Sequence, residues 1–302
     1  MRKQFCDAMV ARGADPRLVF LTGDLGFMAL EPLQQALGER FVNAGVAEQN
    51  MVSVAAALAR TGLQAWVYSI APFVTARPFE QLRNDVALHA LPVKVVGNGG
   101  GYGYGVMGPT HHAIEDYGTL LALHGMQACI PVFDEDVAAA VRLVGDSSAP
   151  CYLRLGRGEP PAGWTPPAFA PWRQLLGGGG PVVAAVGPLA GTFIAPFQSM
   201  PESDRPNLWV AAVLPVAGHP PPPAMLEQVE RTGRLVVVEE HVARGGFGSE
   251  LLLHLAAAGR VPQRFRHLCA TAPHFERYGS QGFMRKQSGL DPASLLAAVS
   301  AV

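Results

Sequence analysis

The sequence predicts an α/β protein built from two open, mostly parallel sheets, and three observations carry that prediction. Short apolar runs of strand type alternate with helical patterns from residue 1 to 158, which means a parallel sheet with both faces covered by helices. Residues 159–181 then hold six prolines and the run Gly177 to Gly180 without apolar periodicity, the composition of a linker crossing a surface. The alternation returns over 182–302, so a second, smaller sheet is expected there. At 302 residues, 49% hydrophobic and 16% charged, the chain is long enough to bury a core in each of two domains.

Residues 1–15 form a helix, because Phe5, Met9 and Val10 recur at helical spacing and Gly13 supplies a stop. A buried strand at 19–22 ends in Gly23-Asp24-Leu25-Gly26. Asp24 is thus at the carboxyl end of a strand, where open α/β sheets bind ligands, although a turn aspartate fits the same position. A helix over 30–37 leads to a strand that closes in Ala44-Gly45. From Glu48 an uninterrupted helical pattern runs on through Met51-Val-Ser-Val-Ala-Ala-Ala-Leu-Ala59. Glu48 therefore opens a helix at a strand-to-helix junction, a place that the helix dipole alone also favours for an acid. There follow a strand at 64–68, a helix at 73–89, a strand at 93–96, a glycine-rich loop to His112, a helix over 113–123, and a helix over 135–144 capped by Asp134. Beyond the linker, 182–186, 208–213 and 235–238 are strands, 248–258 is a helix, and 292–299 is a closing helix capped by Asp291.

A formal net charge of -1 with no basic block argues against general affinity for nucleic acid or anionic membrane. Cys6, Cys129, Cys151 and Cys269 are far apart and form no C-x-x-C pair, so neither a zinc site nor a disulfide framework is suggested, and reduced thiols are the simpler reading. No apolar run reaches the length of a membrane span and no h-region follows the first basic residues. A cytoplasmic protein is expected, with no metal ligands of its own.

The stretch Asn43-Ala-Gly-Val-Ala-Glu-Gln-Asn-Met51 resembles the signature of the pyrimidine-binding domain of transketolases and deoxyxylulose-phosphate synthases, which depend on thiamine diphosphate. The resemblance implies that Glu48 hydrogen-bonds N1′ of the cofactor's aminopyrimidine. A carboxyl group kept dry against an apolar helix can share or donate a proton at neutral pH. The protein then supplies the proton switch and the cofactor the carbanion chemistry. Ala71-Pro-Phe73-Val-Thr-Ala-Arg77-Pro-Phe79 resembles the family's aromatic segment, which makes Phe73 the ring stacked on the pyrimidine. Phe79 is its support or a plain core residue. Glu239-Glu240-His241 followed by Gly245-Gly-Phe-Gly-Ser249 resembles a segment of the family's C-terminal domain.

Gly103-Tyr-Gly105-Val-Met-Gly108 is formally G-x-G-x-x-G, but it lies seven residues past its strand and is followed by Pro109. It fails the conditions for a dinucleotide site, and a loop whose backbone approaches cofactor and substrate closely is expected instead. Gly108-Pro-Thr-His111-His112 matches the family's G-P-T-H-Q. That match implies that His111 contacts the substrate oxygen on the reacting carbon, a task suited to an imidazole; His112 fits a substrate role and a structural one equally. Arg157 resembles an arginine that binds substrate phosphate, and a surface arginine entering a linker is an equally plain account. Met107 and Gly99 stand where transketolases carry a hydroxyl-reading aspartate and a substrate histidine, which predicts a roomier, less polar pocket and a specialised substrate.

The family's Gly-Asp-Gly magnesium and diphosphate motif is missing, since Gly23-Asp24 continues with Leu25 and Gly145-Asp146 with Ser147. The resemblance therefore implies a pyrimidine-binding domain over 1–158, a linker over 159–181 and a transketolase C-terminal-like domain over 182–302. Thiamine diphosphate and Mg2+ would be completed by an N-terminal partner subunit in an α2β2 assembly. The expected activity is transfer of a two-carbon ketol unit from a ketose or 2-oxo acid donor to an aldehyde. An E1 β-type subunit of a 2-oxo acid enzyme and a catalytically silent scaffold subunit are the alternatives.

Overall fold

In the computed structural model, which describes residues 1–271 and 277–302, the chain builds two open sheets. Helix α1 (Arg2–Arg12) leads into β1 (Leu18–Thr22), α2 (Glu31–Leu37) into β2 (Phe41–Asn43), and α3 (Glu48–Arg60) into β3 (Gln64–Ile70). Short α4 (Ala71–Thr75) and α5 (Phe79–Gln81), continued by a π-helical turn Leu82–Ala87, precede β4 (Lys94–Asn98). Then come α6 (Asp116–Leu121), β5 (Gln127–Cys129), α7 (Val137–Asp146) and β6 (Cys151–Leu155). The second half holds β7 (Trp172–Leu176), β8 (Val182–Val186), α8 (Ile194–Gln198), β9 (Asn207–Ala211), β10 (Val213–Leu214), α9 (Pro223–Thr232), β11 (Arg234–Val238), α10 (Phe247–Ala257), β12 (Arg264–Leu268), α11 (Gln281–Gln287) and α12 (Pro292–Ala301).

The first sheet has seven strands in the order β10-β5-β6-β4-β3-β1-β2 and is parallel except for β10, which runs antiparallel to β5. Alternation along β1 sends Leu18 and Phe20 to one face with Phe5, Met9 and Leu33, and Val19 and Leu21 to the other with Met51, Val52 and Ala55. The second sheet has five strands in the order β12-β11-β8-β9-β7, with β7 alone antiparallel. One apolar core joins the two, since Tyr117 and Leu120 of the first half belong to the same cluster as Ala184, Val237 and Phe247 of the second.

Four expectations are corrected. The helix expected over 73–89 is broken between Thr75 and Phe79, at Pro78, which has no N–H for the helical ladder. The run 208–213 is two strands, β9 in the second sheet and β10 in the first. The stretch 159–181, expected as linker throughout, contains β7, whose Arg173 is drawn inward by buried Asp136 of the first half. Asp134 does not cap the following helix. It pairs with the Met1 amine at 2.9 Å, and Asp136 at the start of α7 reaches back to accept from Val132 N and Phe133 N at 3.0 Å, holding the turn that enters the helix. The Asp291 cap forms as expected, on Ala293 N and Ser294 N.

Candidate functional site

The neighbours β1 and β3 are the place where the winding of the first sheet reverses, because β1 connects outward to β2 and β3 connects the other way to β4. Open α/β sheets bind ligands in such a crevice. Glu48 reaches it from the first turn of α3. It precedes Met51 and Val52 by three and four residues, so it lies on the buried face of its helix, and only 3% of it is exposed. Its Oε1 accepts from Ser69 Oγ at 3.3 Å, and Gly23, at the end of β1, leaves room beside it, since a β-carbon there would lie 3.6 Å from the carboxylate. Arg77 Nη1 donates to both carboxylate oxygens, at 3.1 and 3.2 Å.

The Arg77 guanidinium lies 3.8 Å above the centre of the Phe73 ring, a cation–π contact worth about 0.5–1 kcal/mol at a half-exposed site. The Phe73 ring meets the His111 imidazole edge-on, with centroids 5.1 Å apart, and His111 lies 6.4 Å from the Tyr104 ring. Thr110 Oγ1 is 3.0 Å from His111 Nδ1, a contact that orients the imidazole. Glu48, Arg77, Phe73, His111 and Tyr104 therefore form a continuous chain of contacts. His112 is not part of it. It is buried, its Nε2 donates to Gly105 O at 3.2 Å, and its Nδ1 has no hydrogen-bond partner among the described residues. Desolvation lowers its proton affinity and the Gly105 carbonyl opposes this only in part, and the bond to Gly105 ties the imidazole to the loop.

Tyr104 also borders an open cleft of about 320 Å³, lined among others by Arg2, Lys3, Asn98, Gly156 and Arg157. Among the described residues its one lining acid, Asp134, is engaged by the Met1 amine, which leaves a surface suited to an anion. The room that the loss of a side chain at Gly99 was expected to leave is filled: Gly99 has φ +75° and a β-carbon there would strike the Tyr104 ring at 2.2 Å. The phenol of that ring accepts from Asn98 Nδ2 at 2.7 Å. Asp24 is exposed at the end of β1 with φ 56°, held by Asn43, whose Nδ2 donates to it at 2.8 Å and whose Oδ1 accepts from its N–H at 3.1 Å. Phe79 is half-buried and packs against the first domain's core.

The sequence profile of the transketolase pyrimidine-binding domain matches residues 1–162. The chain belongs to the transketolase family. The profile of the transketolase C-terminal domain matches residues 222–295. Among relatives, the chain is 31% identical over 87% of its length to a subunit of the apulose-4-phosphate transketolase of Phocaeicola vulgatus, and the match spans 85% of that subunit. It is 30% identical over 87% of its length to 1-deoxy-D-xylulose-5-phosphate synthase 1 of Geobacter sulfurreducens, but spans only 41% of that protein. Among solved structures, one described as a split gene transketolase, inactive beta4 tetramer, superposes with TM-score 0.83 at 27% identity, covering 99% of this chain and 96% of that one. Transketolase from Leishmania mexicana shares the fold, with TM-score 0.80 at 18% identity over 45% of its chain.

Within this transketolase chain, the second half braces the loop that carries His111. Glu239, fully buried, accepts from Phe247 N and Gly248 N at 2.8 Å, from His267 Nε2 at 2.6 Å, and from the Tyr117 hydroxyl. Glu240 accepts from Tyr102 N at 2.7 Å and from Arg285 Nη2 at 2.7 Å. His241 stacks on Tyr117 at 4.0 Å, accepts from Gly118 N at 3.1 Å and donates from Nδ1 to Val242 O at 2.7 Å. The segment 101–118 is thus clamped on both sides of His111. Sequence reasoning gave no role to Arg77, Ser69, Tyr104 or Arg2. A signal existed for Arg77, four residues after Phe73 in a stretch with a helical pattern, a spacing that on a helix brings two side chains together.

Proposed function

We propose that this chain is the pyrimidine-binding subunit of a split transketolase-type enzyme, which transfers a two-carbon ketol unit to an aldehyde with thiamine diphosphate held between this chain and a partner. The observation that carries the reading is the dry carboxylate of Glu48 at the switch point, beside the face of Phe73. That pair fits an aminopyrimidine, because a flat, N–H-bearing group, the guanidinium of Arg77, already lies on the ring and hydrogen-bonds the carboxylate. Thiamine diphosphate supplies the electron sink for the carbanion chemistry. Glu48 holds the exchangeable proton at the ring nitrogen, and its burial strengthens that bond by excluding water. Phe73 supports the ring. His111 faces the substrate side, where it donates to, or takes a proton from, the oxygen on the reacting carbon. Arg157 and Arg2 hold the phosphate of a phosphorylated substrate in the basic cleft. Asp24 acts through the turn it forms with Asn43, and Phe79 through the packing of the Glu48 helix.

The diphosphate and Mg2+ are assigned to the partner because Gly23-Asp24 lacks the continuation that would hold them. The relative that is one subunit of its transketolase, and the neighbour described as an inactive beta4 tetramer, support a chain that is inactive by itself. The exposed side chains Phe27, Met28 and Val46, beside the crevice, are the face offered to that partner. Calorimetric titration of thiamine diphosphate and magnesium into the chain alone, and into its mixture with a candidate subunit carrying a diphosphate-binding domain, tests the proposal. Binding only in the mixture, followed by transfer of the ketol unit from a ketose donor to an aldehyde, is expected. Tight binding by the chain alone would refute the split site, and passage of the two-carbon unit to a lipoyl or carrier-protein thiol would favour an E1 β-type subunit.

A further inference from the structure

We infer that Arg77 is a displaceable cap: in the cofactor-free chain its guanidinium occupies the Glu48 carboxylate and the Phe73 face, and cofactor binding proceeds by exchange with it. The inference rests on the reading of Glu48 and Phe73 just given. Both carboxylate oxygens accept from Arg77 Nη1, at 3.1 and 3.2 Å, and the same guanidinium covers the ring at 3.8 Å. A planar ring that bonds Glu48 while lying on Phe73 needs both surfaces, so the two occupants exclude each other. Glu48 is 3% exposed, and among the described residues Ser69 at 3.3 Å is its other side-chain donor, so a departed guanidinium without a replacement would leave a buried charge poorly paired. Exchange avoids that state, since one planar donor leaves as another arrives.

Arg77 is built to leave. Its side chain is 44% exposed, and it lies in the break between α4 and α5, where Pro78 has no N–H to donate back to the preceding turn. Arginine suits this task and lysine does not, because only the flat guanidinium both stacks and donates.

The test compares wild type, Arg77→Ala and Arg77→Lys, each assembled with the partner subunit, in stopped-flow and equilibrium binding of thiamine diphosphate with magnesium. Arg77→Ala is expected to speed association about tenfold and to lower Kd, with a smaller gain for Arg77→Lys. Unchanged or weaker binding in Arg77→Ala overturns the inference, the latter because it would make Arg77 a cofactor ligand. Urea unfolding of the chain alone gives a second readout. Arg77→Ala and Glu48→Gln should be non-additive there, and additivity overturns the cap while leaving the proposed function untouched. A wild-type pair that binds no cofactor sinks the proposed function, and the exchange with it, even where the coupling in the chain alone persists.

Discussion

Glu48 owes its burial to spacing: three and four residues before Met51 and Val52, it can point only into the crevice between β1 and β3. Glu48→Gln should keep the shape and remove the proton, lowering kcat of the reconstituted enzyme by about 10²-fold or more with an unchanged circular dichroism spectrum. Arg157→Ala should raise KM for a phosphorylated substrate by about tenfold, the loss of one charge-assisted contact. It should leave an unphosphorylated analogue unaffected, and equal effects on both would remove the phosphate assignment. Desolvated histidines set an acid limit. Desolvation lowers the proton affinity of His112 and His241 below the ordinary value of 6.5. The unfolded chain therefore takes up protons that the folded chain refuses, and stability fully present above pH 6.5 declines as pH falls below it. Thermal melts should show Tm falling from about pH 6.5 downward, with a shallower fall in His241→Gln. The position of Glu48 at a strand-to-helix junction was legible in its own run, and His111 was singled out only through the resemblance of Gly108-Pro-Thr-His111 to a family motif. Arg77 and Arg2 were not, because their roles depend on what the fold brings opposite them.

At the scale of elements, strands with uniform apolar runs, such as β1, β4, β8 and β11, could be read directly. The missed elements had no such run. β5 is three residues long, and β12, at an edge, sets Arg264, Arg266 and His267 among only two apolar side chains, Phe265 and Leu268. The meaning of Glu239-Glu240-His241 was equally hidden, since its partners Tyr117, Tyr102 and Gly118 lie more than a hundred residues earlier. Burial and the charge of Glu239 raise the proton affinity of Tyr117, which keeps its hydroxyl a donor. Glu239→Ala would strand that hydroxyl, two backbone N–H groups and His267. It should destabilise the chain by roughly 3 kcal/mol or more in urea unfolding and speed hydrogen exchange in 101–113. A loss confined to residues 234–268 would show that the clamp does not hold the His111 loop.

For the whole molecule, two sheets were foreseeable from the alternation on either side of 159–181, whereas the seam between them was not. A run such as 208–213 carries no mark of where it changes sheets, and the switch is visible only once β10 is seen beside β5. The pairing is brief, Val213 with Cys129 and Leu214 with Ala128, supplemented by Ile130 N donating to Ala212 O at 2.8 Å. It nevertheless means that the first sheet is finished by residues belonging to the second half. A gene cut in the proline-rich stretch would therefore yield a first fragment with β5 as a naked edge, its unpaired backbone groups open to any passing strand. Such a fragment should aggregate unless the second fragment is made beside it, so inheritance of the two halves is coupled: recombination or fission between them is penalised at the level of solubility before catalysis is ever tested.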